Sequence, residues 1–187
     1  MRVIAGTCRG RKLLTPAGVV TRPTSDRVKE SLFSILTSRI DFSQMRVLDI
    51  CAGTGSLGIE AISRGAEFCC FIENNRSVVP ILDKNLLITG CVSRAEVLTM
   101  DAVAALKRCA ERGRQFDLAF FDPPYASDLY LTVPAALISA RILASAALFV
   151  MECSVRYHLP ETYEPLQRID RREYGDTAIE LYTLEGK

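Results

Sequence analysis

The sequence predicts an α/β fold: a mostly parallel, seven-stranded sheet with helices on both faces, closed by an antiparallel C-terminal hairpin and preceded by a small N-terminal β-hairpin and helix. Three observations predict it. From residue 46 onward, short apolar runs alternate with helix-length segments, the pattern of a parallel sheet with right-handed crossovers. A glycine loop, Gly53-Thr54-Gly55-Ser56-Leu57-Gly58, follows the first apolar run and opens a helix. Another run, at residues 116–121, is stopped by Asp122-Pro123-Pro124-Tyr125, because neither proline can donate a ladder hydrogen bond and each restricts the residue before it.

In chain order, Arg2-Val3-Ile4-Ala5 and Arg11-Lys12-Leu13-Leu14 flank Gly6-Thr7-Cys8-Arg9-Gly10 as a hairpin whose turn carries Arg9 and Arg11. Arg22-Pro23-Thr24-Ser25-Asp26 supplies capping side chains for a helix over 26–38, with Val28, Leu32, Ile35 and Leu36 on one apolar face and Arg27 and Glu30 on the other. Strands are expected at 47–51, 67–73, 96–100, 116–121 and 148–153. Helices are expected from the glycine loop through 64, at 76–89 with Gly90 as a left-handed stop, and at 102–112. The apolar region 133–151 contains Arg141 and follows Pro134, so it reads as a helix followed by a strand and not as a membrane span. Strands 166–174 and 178–184, split at Gly175-Asp176, form the closing hairpin. Residues 1–43 read as a basic extension and residues 44–187 as the sheet domain.

A chain of 187 residues with 49% hydrophobic and 24% charged side chains has enough apolar material for one substantial core, which excludes disorder as the default. No secretory signal opens it, so a cytoplasmic location is expected. The seven cysteines include no Cys-x-x-Cys pair, and the single histidine, His158, lies in a polar stretch; neither a metal site nor triad chemistry is expected. Charge is uneven. Residues 1–29 hold seven basic side chains against Asp26 alone, a net +6, whereas the remainder holds 16 basic and 21 acidic, a net −5. A basic front on a mildly acidic body suits contact with phosphates through one face.

The glycine spacing is shared with dinucleotide-binding proteins, but Asp49, just before the loop, disfavours a pyrophosphate and favours a ligand with an ammonium group. S-adenosylmethionine is such a ligand. Glu73, at the end of the second strand, would take its ribose hydroxyls, and Asp101 with the Ala102 backbone would meet its adenine. In the tetrad, Asp122 and the Pro123 carbonyl can accept hydrogen bonds from a planar exocyclic amine, and Tyr125 can stack on the base that carries it.

The first loop with Ile59-Glu60-Ala61 and Ser63-Arg64-Gly65-Ala66 resembles the first motif of class I, Rossmann-like methyltransferases, and Asp122-Pro123-Pro124-Tyr125 resembles the catalytic motif of those acting on amino groups. Gly10-Arg11-Lys12-Leu13, Arg22-Pro23-Thr24-Ser25-Asp26-Arg27-Val28-Lys29-Glu30 and Leu32-Phe33 resemble the front of the RsmD family, which methylates N2 of one guanine in bacterial 16S ribosomal RNA. That resemblance implies S-adenosylmethionine as cofactor and 16S rRNA or a small-subunit assembly intermediate as partner; a monomer is expected. Asp122, Pro123 and Tyr125 are the implied catalytic set, and Asp49, Gly53, Gly55, Glu73, Asn74, Asp101, Ala102 and Asp122 the implied cofactor contacts. Arg22, Thr24, Asp26 and Arg27 are placed near the pocket mouth, and Arg2, Arg9, Arg11, Lys12, Arg22 and Arg27 form the expected RNA contacts. Cys51 stands where the family more often has an aromatic residue. Methylation of adenine N6 in DNA or of a protein amide, or a non-catalytic RNA-binding assembly role, are the alternatives.

Overall fold

The computed structural model describes residues 1–16, 26–124 and 128–184. Its elements are α1 (Asp26–Thr37), β1 (Arg46–Ile50), α2 (Ser56–Ser63), β2 (Phe68–Ile72), α3 (Val79–Thr89), β3 (Ala95–Leu98), α4 (Ala102–Glu111), β4 (Phe116–Phe121), α5 (Leu129–Ala140), β5 (Leu143–Ser154), β6 (Thr162–Tyr163), β7 (Leu166–Tyr174) and β8 (Thr177–Leu184).

Eight strands, not the seven expected, form one sheet in the order β3-β2-β1-β4-β5-β8-β7-β6. The extra strand is β6, whose two residues pair antiparallel with Gln167 and Leu166 and are too few to carry an alternating pattern. Strands β1 to β5 are parallel, and β8 runs antiparallel between β5 and β7. The chain winds outward from β1 through β2 to β3, then returns to place β4 on the other side of β1. That reversal makes a crevice between the carboxyl ends of β1 and β4, where ligands bind in open α/β sheets.

Successive strand residues point to opposite faces, and both faces are covered. Val47, Cys69, Phe71, Leu118, Phe120 and Val150 join one core with α1, α2 and α3. Leu48, Cys70, Ile72, Ala119, Phe121 and Met151 join the other with α4 and α5. Helix α5 begins at Leu129, before the expected start, and carries Pro134 in its interior. A proline there removes the N–H that the Tyr130 carbonyl would accept, and the Tyr163 hydroxyl donates to that carbonyl instead, at 3.2 Å.

The N-terminal hairpin forms around the Arg2–Lys12 bridge. It packs on the sheet domain, and Val3, Cys8 and Leu13 are buried in the same core as α1 and α2. The Thr7 N–H donates to the Ser63 carbonyl at 2.8 Å, and the Cys8 N–H donates to Ser63 Oγ at 2.9 Å. Gly6, at φ 80°, sits so close to the Ser63 carbonyl that a Cβ would collide with it.

Candidate active site

A cavity of about 570 Å³ opens at the carboxyl ends of β1 to β5. Its floor is built by the loop after β1. The buried Asp49 side chain turns under that loop and accepts from the Gly58 N–H at 2.9 Å, capping the start of α2 from outside the helix. A Cβ on Gly58 would strike the Phe71 ring, so only glycine lets α2 lie this close to β2. Glu73, at the end of β2, fixes the loop from the other side: Oε2 accepts from the Gly53 N–H at 2.8 Å and Oε1 from the Asn75 N–H at 2.7 Å. Each oxygen keeps a second lone pair for a ligand hydroxyl. Gly55, at φ 82°, is the N-cap of α2. Asp101 caps α4, its Oδ1 accepting from the Ala104 N–H at 3.2 Å, while still lining the cavity beside Asn74 and Ala102.

Burial pushes the Asp49 carboxyl up to about 7; the Gly58 N–H opposes this and the Glu73 charge adds to it. Cys51, at φ 61° in the same loop, has its thiol pushed up to about 12, first by burial and then by the charges of Glu73, Asp122, Asp49 and Asp101. Four carboxyl groups therefore bear on Cys51, which remains a neutral thiol. A cavity of this sign suits a cationic ligand and opposes a pyrophosphate. The donor set, with buried Asp49, paired Glu73 and Asp101 around one acidic cavity, is of a kind that would suit a cationic ligand bearing hydroxyls, such as S-adenosylmethionine.

Asp122 and Pro123 line the same cavity from the end of β4, and the Asp122 N–H lies 3.5 Å from the Ile50 carbonyl, across the sheet reversal. Tyr125, Arg22 and Thr24 lie outside the described residues. Two lining elements escaped the sequence reading. Glu152, near the end of β5, adds a further acidic side chain, and Met1, Thr15 and Pro16 bring the N-terminal segment to the cavity. Asn85 of α3 holds that segment in place: its amide exchanges hydrogen bonds with Leu14 and donates to the Thr54 carbonyl of the glycine loop at 2.9 Å.

Lys29 departs furthest from its sequence pattern. It belongs to the basic front by charge, yet it is fully buried. It donates to the Arg2 carbonyl at 2.6 Å and to Ser56 Oγ at 3.1 Å, and lies 3.7 Å from Glu60. Burial lowers its ammonium, and Glu60 opposes that. Glu60, also fully buried, accepts from the Ile4 and Ala5 N–H groups at 2.7 and 3.0 Å and from Arg64 at 2.9 Å. Among the expected RNA contacts, Arg2, Arg9, Arg11, Lys12 and Arg27 are exposed. Arg2 lies 3.8 Å from Asp26, and Arg11 donates to the Ile88 carbonyl. Among the described residues, no group of three or more metal-ligating side chains is arranged to hold an ion, and no helix is long and apolar enough to cross a membrane.

Parallel winding that reverses beside β1, an antiparallel β8 inserted next to β5 and an acidic cavity above the reversal together place this chain among the class I, Rossmann-like methyltransferases. Comparison with known proteins narrows the class. Residues 1–183 match the family model described as Conserved hypothetical protein 95, and the chain belongs to that family, the RsmD family. It is 36% identical over 187 residues to the Escherichia coli K12 protein named ribosomal RNA small subunit methyltransferase D, covering 100% of this chain and 91% of the relative. Among solved structures, the E. coli protein yhhF superposes with a TM-score of 0.86 at 35% identity, covering 100% of this chain and 99% of that one. A hypothetical protein from Thermus thermophilus superposes with a TM-score of 0.85 at 30% identity, covering 98% of this chain and 99% of that one.

Proposed function

We propose that this chain methylates the exocyclic N2 amine of a single guanine in small-subunit ribosomal RNA, with S-adenosylmethionine as methyl donor. The observation that carries the reading is the shared cavity, in which Asp49, Glu73 and Asp101 stand at the ends of three successive strands and Asp122-Pro123 stands across the sheet reversal. The relatives' activity on small-subunit ribosomal RNA supports the substrate class.

When bound, S-adenosylmethionine supplies a methyl group on a cationic sulfur. The chain's own residues supply position and charge. Asp49, Glu73 and Asp101 hold the donor, and the acidic lining stabilises its positive charge. A guanine turned out of its RNA context enters from the Asp122 side. Asp122 and the Pro123 carbonyl accept from the two amine hydrogens, which draws the nitrogen away from planarity and directs its lone pair into the cavity. The diproline fixes that carbonyl, and Tyr125 stacks on the base. Positioning and electrostatics provide the rate.

The test is transfer from labelled S-adenosylmethionine to small ribosomal subunits and to naked rRNA lacking the modification, followed by nucleoside analysis. N2-methylguanosine at one site is the expected product. N6-methyladenine in DNA or a methylated protein amide would replace this reading, and tight donor binding without transfer to any acceptor would leave a non-catalytic RNA-binding role.

A further inference from the structure

A second cavity, of about 370 Å³, is lined by Tyr130, Leu131, Arg156, Tyr157, His158 and Tyr163, and no carboxylate is among its described lining residues. The start of α5 lies between it and the first. Leu129 faces the large cavity, and the next two residues of α5 face the small one. Tyr130 is held at two points: its hydroxyl donates to the Glu152 carbonyl at 2.9 Å and its own carbonyl accepts from Tyr163. On this fixed ring lies Tyr157, with centroids 5.0 Å apart and planes 31° apart, and 37% of Tyr157 remains exposed. Leu131 beside it is 64% exposed. The Arg156 guanidinium is exposed and makes no ion pair among the described residues, whereas Arg168 and Arg171 are both held by Glu180.

We propose that this cavity is a nucleotide subsite, in which an RNA base neighbouring the methylated one stacks on Tyr157 while Arg156 meets the adjoining phosphate. The proposal rests on the RNA reading of the large cavity and extends it. The large cavity presents the side chains of Asp49, Glu73, Asp101, Asp122 and Glu152, which repel a polyanion. Nucleotides flanking the target base must therefore leave away from these side chains, and beside α5 lies a cavity whose own lining holds no carboxylate among the described residues and holds the exposed Arg156. Turning a base out of its stack also leaves its neighbour with an uncovered face, which an anchored, half-exposed aromatic ring replaces. His158, the only histidine in the chain, lines this cavity.

The experiment compares wild type, Tyr157→Ala, Tyr157→Phe and Arg156→Ala in donor binding, in steady-state transfer to ribosomal RNA and in the salt dependence of RNA affinity. Tyr157→Ala is expected to raise KM for RNA by about tenfold with donor affinity unchanged, and Tyr157→Phe, which keeps the ring, to restore wild-type KM. Arg156→Ala is expected to flatten the slope of log affinity against log salt by about one. Loss of donor binding in Tyr157→Ala would mark a packing role and leave the decision to Arg156→Ala, whose unchanged salt slope would overturn the subsite. If wild type transfers to RNA and all variants match it, the subsite alone is wrong; if wild type transfers nothing to RNA, both readings fall.

Discussion

Asp49→Asn should separate stability from donor binding. In the folded chain the Asp49 carboxyl is pushed up to about 7 from an ordinary 3.8. A raised carboxyl means that the fold prefers the protonated form. Its stabilising contribution is complete below about pH 4, declines as the unfolded chain ionises, and is gone once pH passes about 7. A shift of about three units at about 1.4 kcal/mol each amounts to about 4 kcal/mol of stability that the ligand-free protein lacks at pH 8. Asparagine has nearly the same shape, keeps an oxygen for the Gly58 N–H and never ionises. The variant should match wild type near pH 4 and exceed it at pH 8 by as much as about 4 kcal/mol, less what its amide N–H₂ group loses on burial. For a chain of this length that is a rise in melting temperature of up to about 8–16 °C. Wild-type donor affinity should rise with pH through about 7, because a cationic ligand favours the ionised carboxylate, whereas the variant should bind weakly with a flat profile. Thermal unfolding and donor titration from pH 5 to 8.5 measure both. A variant that is less stable than wild type at pH 8, or whose stability difference does not grow with pH, would refute the reasoning.

Further outcomes follow from the same geometry. Asp122→Ala should retain donor affinity and lower kcat by two or more orders of magnitude, because it removes an acceptor that acts at the amine; single-turnover transfer measures this. Glu60→Ala should cost about 3–5 kcal/mol in chemical unfolding, because it leaves Lys29 charged and buried and the Ile4 and Ala5 N–H groups without their acceptor. Replacing Arg9, Arg11 and Lys12 together with alanine should flatten the salt slope of RNA affinity by about two, with no change in donor binding. An unchanged slope would move the RNA face away from the hairpin.

Much of the sheet was legible because its signals are local. The β4 strand ends where the diproline requires, Gly90 adopts the left-handed conformation at φ 71°, and Gly175-Asp176 divides β7 from β8 as composition suggests. That Asp49, Glu73 and Asp101 would line one cavity was legible because parallel strands bring their ends to one edge. What failed depends on distant partners. Pro134 reads as a helix boundary until Tyr163, 33 residues from Tyr130, satisfies the carbonyl it frees. Lys29 reads as part of a charged face until Glu60 is folded beneath it. Glu152 lies inside a continuous apolar run, where only the register of β5 against β4 reveals that it reaches the cavity.

The docking of the N-terminal hairpin also bears on the order of assembly. Its anchors lie far along the chain: Ile4 reaches Glu60 across 56 residues, and the Cys8 thiol reaches the Thr89 carbonyl across 81. Closing such long loops costs entropy before any contact is gained, so the hairpin can settle only after α2 and α3 exist to receive it. Met1, Thr15 and Pro16 arrive with it, so this wall of the cavity forms only once α2 and α3 are in place. The basic hairpin is thus fixed late, and the binding chamber acquires its full shape only when Met1, Thr15 and Pro16 dock against the middle of the chain.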